Sequence, residues 1–458
     1  MDYSELPIFD KASVVVVGGG TAGAFAAKAA ADMGKDVLVV EQLGSLGGTA
    51  TNGLVTPIMG THIPGNPQCS YISNIVRERM LAIGACSENG AIFDPLALKY
   101  VLEDICVEAG VRILYHTFLA DTVVKDGKLD AIVVANKRGL GLIKADMFID
   151  ATGDGDVCVR AGAGYSKGNP DNDGKNQPVS LRYIVSNIDF EKFGAFLLKQ
   201  RELTGRNVAC DYHPGYIYAA CCASGDWTLN EVFLEAIEKG DLTVQDKAYW
   251  QVFTIPGSGG CLAFNNPEFF ENTDATDPND MSKIHTIGNA AIFRQLAFYK
   301  KYFPGFENAY VSDIAAIVGV RESRNIVTEY VLSAKDLICR AKFKDMFCQS
   351  NYPVDIHGKV LNFNKEQYKP VDDGKNWYEI PYRSLVVKGI DNLFISGRCL
   401  GAEFLAQSSL RVQHSCRSSG EAAGIGAALA LDKNVPAREI NGEDVRNIMI
   451  SKGAAFAE

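Results

Sequence analysis

The chain lacks several features that would have narrowed its role at once. Its 12 cysteines form no CxxC pair, and the closest two are adjacent at Cys221 and Cys222. Iron–sulfur and structural zinc sites recruit cysteines at short, repeated spacings, so no metal site is expected. The cysteines are expected to be reduced packing residues, with a redox pair at Cys221 and Cys222 as the alternative. A basic excess is also missing: the net charge is −10, and the 45 Lys and Arg are spread along the chain. That leaves no electrostatic footprint for nucleic acid. No apolar run approaches the roughly 18 residues that suggest a spanning helix; the best candidates are Val14–Val17 and Ile314–Val320. The opening MDYSELPIFDKA carries acidic residues and no apolar core, unlike a secretory signal, so a cytoplasmic location is expected.

What is present begins with size. The 458 residues, 47% hydrophobic and 22% charged, suit two to three domain cores at roughly 150 residues each. The most informative stretch runs from Val14 to Gly53. Its four leading valines have the pattern of a buried parallel strand and lead straight into Gly18-Gly19-Gly20-Thr21-Ala22-Gly23. Gly18 allows a tight turn, Gly20 lets the backbone approach a pyrophosphate, and Gly23 lets the next helix pack on the strand. That helix is nearly all small residues and is followed by Gly34, a natural cap. Its first N–H groups, with the helix dipole behind them, suit phosphate. A second strand, Val37–Val40, ends in Glu41 and Gln42, where a carboxylate can accept hydrogen bonds from ribose hydroxyls. Together these features predict an adenine dinucleotide site.

A second glycine-rich loop follows from Gly44 to Gly53, with Gly47, Gly48, Thr49, Ala50 and Thr51 at its centre. Its backbone can lie along an extended second half of the ligand, for which an NAD site has no evident need. Far downstream, one strand ends in Ala151-Thr152-Gly153 followed by Asp154, and another ends in Gly397-Arg398. The latter leads through Arg411 and Val412 into a second small-residue helix around Cys416 to Gly424.

At these motifs the chain resembles the FAD-dependent oxidoreductase family, flavoproteins with a glutathione-reductase type of Rossmann domain that are distantly related to fumarate reductase and succinate dehydrogenase flavoproteins. The resemblance extends over nearly the whole chain. It includes GGTATNGLV (Gly47 to Val55), PGFENAY (Pro304 to Tyr310), GVRESRNIVTEYVL (Gly319 to Leu332), YPVDIH (Tyr352 to His357) and IPYRSLVVKGIDNLFISGR (Ile380 to Arg398). It implies an α/β fold in which a Rossmann-like FAD-binding domain, residues 1–165 and 380–458 with a C-terminal helix, carries an inserted α+β substrate domain at 166–379. It also implies non-covalent FAD, because the segment from Gln42 to Gly53 contains no histidine of the kind that links flavin in fumarate reductase relatives. The late helix is implied to point its N-terminus at the flavin pyrimidine, where a reduced flavin carries negative charge. After the Gly-Arg pair the chain departs from many relatives. Ala402 to Gln407 and Arg411-Val412-Gln413-His414 stand in place of a His-Glu-Ala segment and an Arg-Val-Met-Pro run, so the resemblance implies no particular substrate.

In the insertion, Val179 to Val185 alternates like a strand, while Met281 to Tyr302 and Asp313 to Ser333 show helical apolar spacing. A mixed sheet with helices on one side is expected. Arg321 and Arg324 would then share a helix face, a clamp for a carboxylate or oxyanion, unless they pair with Glu322 or Glu329. His357 either reaches the domain interface on a strand or sits in a solvated loop. His414 lies between Arg411 and the helix that addresses the flavin, and Arg411 either meets substrate or steadies the flavin. His213, Tyr216 and Tyr218 are either proton donors or packing residues. No second strand with GxGxxG marks a separate NAD(P)H domain.

The expected function is an FAD-dependent oxidoreductase that transfers a hydride between flavin N5 and a small polar organic substrate. That substrate is an alcohol or C–H beside a carbonyl, or an activated C=C. The alternative is a flavoprotein electron-transfer subunit working with a partner redox protein. The expected partners are a small-molecule substrate, an electron donor that is either NAD(P)H or a redox protein, and optionally a second copy of the chain as a homo-oligomer. Nucleic acid and a membrane span are not expected.

Overall fold

Val14 to Val17 are buried on both faces, and a strand covered on both sides belongs in the middle of a sheet. In the computed structural model this strand is β1 (Ile8–Val17). The structure describes residues 3–206, 210–222, 227–357, 369–370 and 373–458, without the side chains of 220–222. The first segment continues with α1 (Thr21–Ala31), β2 (Val37–Val40), α2 (Tyr71–Ala82), α3 (Pro95–Glu108), β3 (Arg112–Leu114), β4 (Phe118–Lys125), β5 (Lys128–Asn136) and β6 (Gly139–Asp150). Next come α4 (Asp156–Arg160), β7 (Tyr165–Lys167), β8 (Val179–Ser180), β9 (Tyr183–Ser186), α5 (Phe190–Thr204), β10 (Cys210–His213), β11 (Tyr216–Cys222), α6 (Asn230–Glu238) and α7 (Val244–Ala248). They lead to β12 (Tyr249–Thr254), β13 (Leu262–Phe264), β14 (Glu268–Phe269), α8 (Pro278–Tyr302), β15 (Tyr310–Ile314), β16 (Arg324–Ile326), α9 (Ala334–Ile338), β17 (Met346–Ser350) and β18 (Tyr378–Pro381). The chain closes with β19 (Leu393–Ile395), α10 (Phe404–Leu410), α11 (Gln413–Lys433) and α12 (Gly442–Ser451).

The first sheet runs β3-β2-β1-β6-β5-β4. β3, β2, β1 and β6 pair in parallel, and β4 and β5 form an antiparallel flank. β19 returns from the far end of the chain to pair in parallel with the last residues of β6, so both halves of the sequence meet in one Rossmann-like core. The two small-residue helices make this possible. A Cβ on Gly420 of α11 would sit 2.0 Å from the Ala22 carbonyl oxygen of α1, and one on Gly424 would sit 2.3 Å from that of Ala26. The helices touch backbone to backbone.

The second sheet runs β10-β11-β12-β13-β9-β15, and every pairing in it is antiparallel. This corrects the expected mixed sheet: short hairpin connections permit antiparallel neighbours, whereas parallel ones need long crossovers. Its apolar core, with Phe193, Trp250, Phe264, Phe298 and Tyr299, draws on residues from Val179 to Val318 and on Leu54 from the glycine-rich loop. α8 is the helix that the spacing of Met281 to Tyr302 predicts. Asp313 to Ser333 forms no helix. Ala315 N–H bonds the Arg182 carbonyl at 2.9 Å, Ala316 N–H bonds that of Asn52 at 2.8 Å, Gly319 bridges Ser180, and β16 pairs with β7. Long-range backbone partners hold this segment extended and override its local periodicity. Among the described residues, no helix is long and apolar enough to cross a membrane.

Two outcomes are expected from this packing. Gly420→Ala drives a methyl into the α1 backbone and lowers unfolding stability by about 2 kcal/mol or more, as measured by urea titration. The second concerns Glu421, which is buried on α11 and accepts hydrogen bonds from Ser70 Oγ at 2.7 Å and from the N–H groups of Tyr71 and Ile72 at 3.3 and 3.2 Å. Burial pushes its carboxyl up to about 8 against these donors. The folded chain therefore keeps a proton that the unfolded chain releases in the ordinary carboxylate range. Stability from this group is fully present below that range and is lost as pH rises to about 8. Urea midpoints between about pH 5 and 8 should fall for the wild type and stay flatter for Glu421→Gln.

Candidate functional site

At the end of β1 the chain turns through Gly18, whose φ of +92° is in the left-handed region that costs glycine least. A Cβ on Gly23 would lie 1.8 Å from the Gly18 carbonyl oxygen, so α1 can start here only with glycine at that position. The second glycine loop lies against this turn. Gly47 N–H bonds the Gly19 carbonyl at 2.8 Å, Thr21 Oγ1 donates to the Gly47 carbonyl at 3.1 Å, and a Cβ on Gly48 would come within 2.8 Å of Gly20 Cα. Thr51 Oγ1 donates to the Leu46 carbonyl at 2.6 Å and braces the short helical turn that contains Thr49 and Ala50.

Glu41 is buried beside the turn. Its carboxylate accepts the Gly19 N–H at 2.6 Å and the Leu43 N–H at 2.7 Å. Burial raises its pKa, while these two backbone donors favour the ionised form. Gln42 stands exposed next to it. On the neighbouring strand end, the fully buried Asp150 accepts from Thr152 N–H, Thr152 Oγ1 and Cys158 N–H, which shapes the turn through Ala151, Thr152 and Gly153. Arg398 then ties three segments together. Its Nε donates to the Gly153 carbonyl at 2.8 Å, Nη2 meets Asp154 at 2.6 Å, and Nη1 donates to the Val320 carbonyl. Gly397 N–H bonds Ser419 Oγ of α11 at 2.9 Å, and Val412 is the N-cap residue of that helix.

A charged cluster adjoins this cradle through Arg411, the residue before Val412. Arg321 is buried, with Nη1 2.9 Å from Glu268 and 2.6 Å from the Pro178 carbonyl. His357 Nδ1 lies 2.8 Å from the same Glu268 oxygen, and its Nε2 is 3.6 Å from Asp355. Arg411 Nη2 reaches the Asp355 carboxylate at 3.2 Å and its carbonyl at 3.0 Å. Arg182, between β8 and β9, is also buried, and its Nε has no hydrogen-bond partner. Burial, reinforced by Arg321, pushes its guanidinium down to about 9. Although burial disfavours charge on Glu268 and Asp355, Arg321 and His357 hold the first below its ordinary range and His357 and Arg411 hold the second there. Three guanidinium groups thus face two carboxylates.

The expected shared helix face of Arg321 and Arg324 is not there. Arg321 lies in a bend before β16, and its acid partner is Glu268 rather than Glu322 or Glu329. Arg324 begins β16 and bonds the Asp154 carbonyl at 3.0 Å and Asp156 at 2.8 Å. His357 and Arg411 come together with Arg321, whereas His414 is buried in the first turn of α11 beside Cys69 and Cys348. His213 and Tyr216 stack at 4.6 Å, and Tyr218 accepts from Gln251 at 3.2 Å. The side chains of Cys221 and Cys222 lie outside the described residues. Sequence reasoning missed Arg182, Glu268 and Asp355. For Arg182 a signal existed, a cation inside the alternating stretch from Val179 to Val185.

A family profile described as FAD dependent oxidoreductase matches residues 13–449. The chain belongs to the FAD dependent oxidoreductase family. A thiamine thiazole synthase of Methanococcus aeolicus is 31% identical over 150 residues, 31% of this chain and 54% of that protein. Its counterpart from Methanococcus vannielii is 29% identical over 151 residues, 31% of this chain and 55% of that protein. The chain thus spans about half the length of the curated relatives it matches. Among solved structures, a geranylgeranyl bacteriochlorophyll reductase-like protein of Thermoplasma acidophilum gives a TM-score of 0.46 at 13% identity, covering 97% of this chain and 84% of that one. A p-nitrophenol 4-monooxygenase of Pseudomonas putida gives 0.47 at 11%, covering 97% and 87%.

The cradle of this FAD dependent oxidoreductase suits its cofactor. α1 has Gly20 as its N-cap and no side-chain cap, so its first N–H groups are left for a ligand. At the start of α11, Gln413 Oε1 and Ser415 Oγ are buried without hydrogen-bond partners, as expected where a polar ligand completes them. Gly48→Ala forces the two glycine loops apart at about 1–3 kcal/mol. Flavin retention, followed by absorbance after gel filtration, should weaken about tenfold or more while circular dichroism stays unchanged.

Proposed function

We propose that this FAD dependent oxidoreductase acts on a small organic anion, a carboxylate-bearing substrate that is oxidised at a C–H beside an oxygen function or reduced at an activated C=C. The observation that carries this reading is the excess of positive charge: Arg182 and Arg321, both buried, and the half-buried Arg411, against the buried Glu268 and the half-buried Asp355. A buried cation without a full complement of partners is costly, and a substrate carboxylate would supply the missing acceptor. FAD, bound non-covalently, would supply the two-electron chemistry of hydride exchange with the substrate carbon.

The protein's own side chains divide the remaining work. Arg182 and Arg411 hold and orient the carboxylate. Arg321 stays paired with Glu268 and keeps that carboxylate ionised. His357, within 2.8 Å of Glu268 and 3.6 Å of Asp355, is positioned to hold or pass the proton that accompanies hydride movement. In this reading residues 166–379 form a substrate domain inserted between 1–165 and 380–458, and the enzyme works in the cytoplasm. NAD(P)H or a redox protein exchanges electrons with it.

The test is a titration of the FAD-loaded protein with small mono- and dicarboxylates, followed through the flavin absorbance band. A saturable change is expected, with the dissociation constant raised about tenfold or more in Arg182→Gln and Arg411→Gln at unchanged FAD content. Wild-type spectra that no carboxylate perturbs would remove the basis for an anionic substrate.

A further inference from the structure

Cys69, Cys348 and His414 lie far apart in the sequence, yet they meet inside the molecule. One ligand atom from each lies within 4.8 Å of the others, and all three residues are buried. Among the described residues, no other trio of His, Cys, Asp or Glu gathers in this way. Each comes from a different ordered element. Cys69 immediately precedes Ser70, the N-cap of α2; Cys348 is in the middle of β17; and His414 is in the first turn of α11.

We propose that Cys69, Cys348 and His414 form a binding site for a divalent, thiolate-preferring cation of the zinc class, which clamps α2, β17 and α11 together. Tetrahedral zinc with Zn–S near 2.3 Å and Zn–N near 2.0 Å spaces its ligand atoms by about 3.5–3.8 Å. The trio therefore needs to contract by about 1 Å at most. Two thiolates and a neutral imidazole around a dication sum to zero charge, the condition under which a buried ionic group is tolerated. On binding, each S–H bond is replaced by an S–metal bond and the two protons leave to solvent.

Two further observations point to a ligand here. His414 is 5% exposed, and its Nε2 has no hydrogen-bond partner, an arrangement that costs about 1–3 kcal/mol unless something fills it. The Gln349 N–H also points at Cys69 Sγ at 3.4 Å, the kind of backbone donor that orients a ligating thiolate. The Gln349 carbonyl lies 3.7 Å from Cys348 Sγ and 4.0 Å from Cys69 Sγ, so it or a water can take the fourth position. The competing account treats the cysteines as small packing residues. That account fits Cys106, whose Sγ donates to the Ala24 carbonyl at 3.6 Å, but it leaves His414 Nε2 without a hydrogen-bond partner.

The FAD-loaded protein, produced in zinc-supplemented medium and gel-filtered in EDTA, should retain about one zinc per chain by elemental analysis. Its zinc X-ray absorption spectrum should show two sulfur donors and one imidazole nitrogen. Cys348→Ser and His414→Gln should lose the metal, and Cys106→Ser should keep it, with FAD content as the control for folding. Because the absorption spectrum is taken on the wild type, a variant that fails to fold does not weaken the test. Metal-free wild-type protein, zinc bound through nitrogen and oxygen alone, or a Cys69–Cys348 disulfide found by mass spectrometry would overturn the proposal.

Discussion

Everything in this molecule depends on how closely α1 and α11 approach each other. Only alanine and glycine line the contact at Ala22, Ala26, Gly420 and Gly424, and dispersion falls off so steeply with distance that one added methyl would break the fit. The contact joins the beginning of the chain to its end. By seating α11 against α1, it delivers Arg411, Val412 and His414 to the side of the glycine turn and allows β19 to complete the sheet along β6. The cradle is therefore made by two segments nearly four hundred residues apart, and neither has its shape alone.

The charged cluster obeys a different constraint. Arg182, Glu268, Arg321, Arg411 and the pair Asp355 and His357 come from five places, and their charges are legible only once they are together. Within a low-dielectric interior each carboxylate is held ionised by a neighbouring cation, and each cation except Arg182 has an acidic partner. Arg182 has none within ion-pair distance, and burial, reinforced by the like charge of Arg321, pushes its guanidinium below its ordinary range.

Local periodicity made the strand–glycine–helix–strand unit readable, because each of its features, from the valines to Glu41, is set by near neighbours in sequence. The same kind of evidence failed at Asp313 to Ser333. That segment has apolar residues at helical spacing, but its N–H groups find partners on Arg182, Asn52 and Ser180, and no local pattern reports such distant acceptors. Arg321 stands out in the sequence as a charged residue, but its pairing with Glu268 and its non-helical conformation do not. His414 stands out in the sequence, but its meeting with Cys69 and Cys348, and that of Glu268 with Asp355, His357 and the arginines, do not, since tertiary folding alone creates their spacing.

Arg398 gives this architecture a mechanical property. One guanidinium holds the Gly153 carbonyl, the Asp154 carboxylate and the Val320 carbonyl together, and Val320 leads directly into Arg321. The Gly153 turn and the segment bearing Arg321 are therefore tied through one side chain. Since coupling between two sites is reciprocal, a shift of the Gly153 turn is resisted by the Arg321 segment with the same free energy with which that segment's own shift is resisted by the turn.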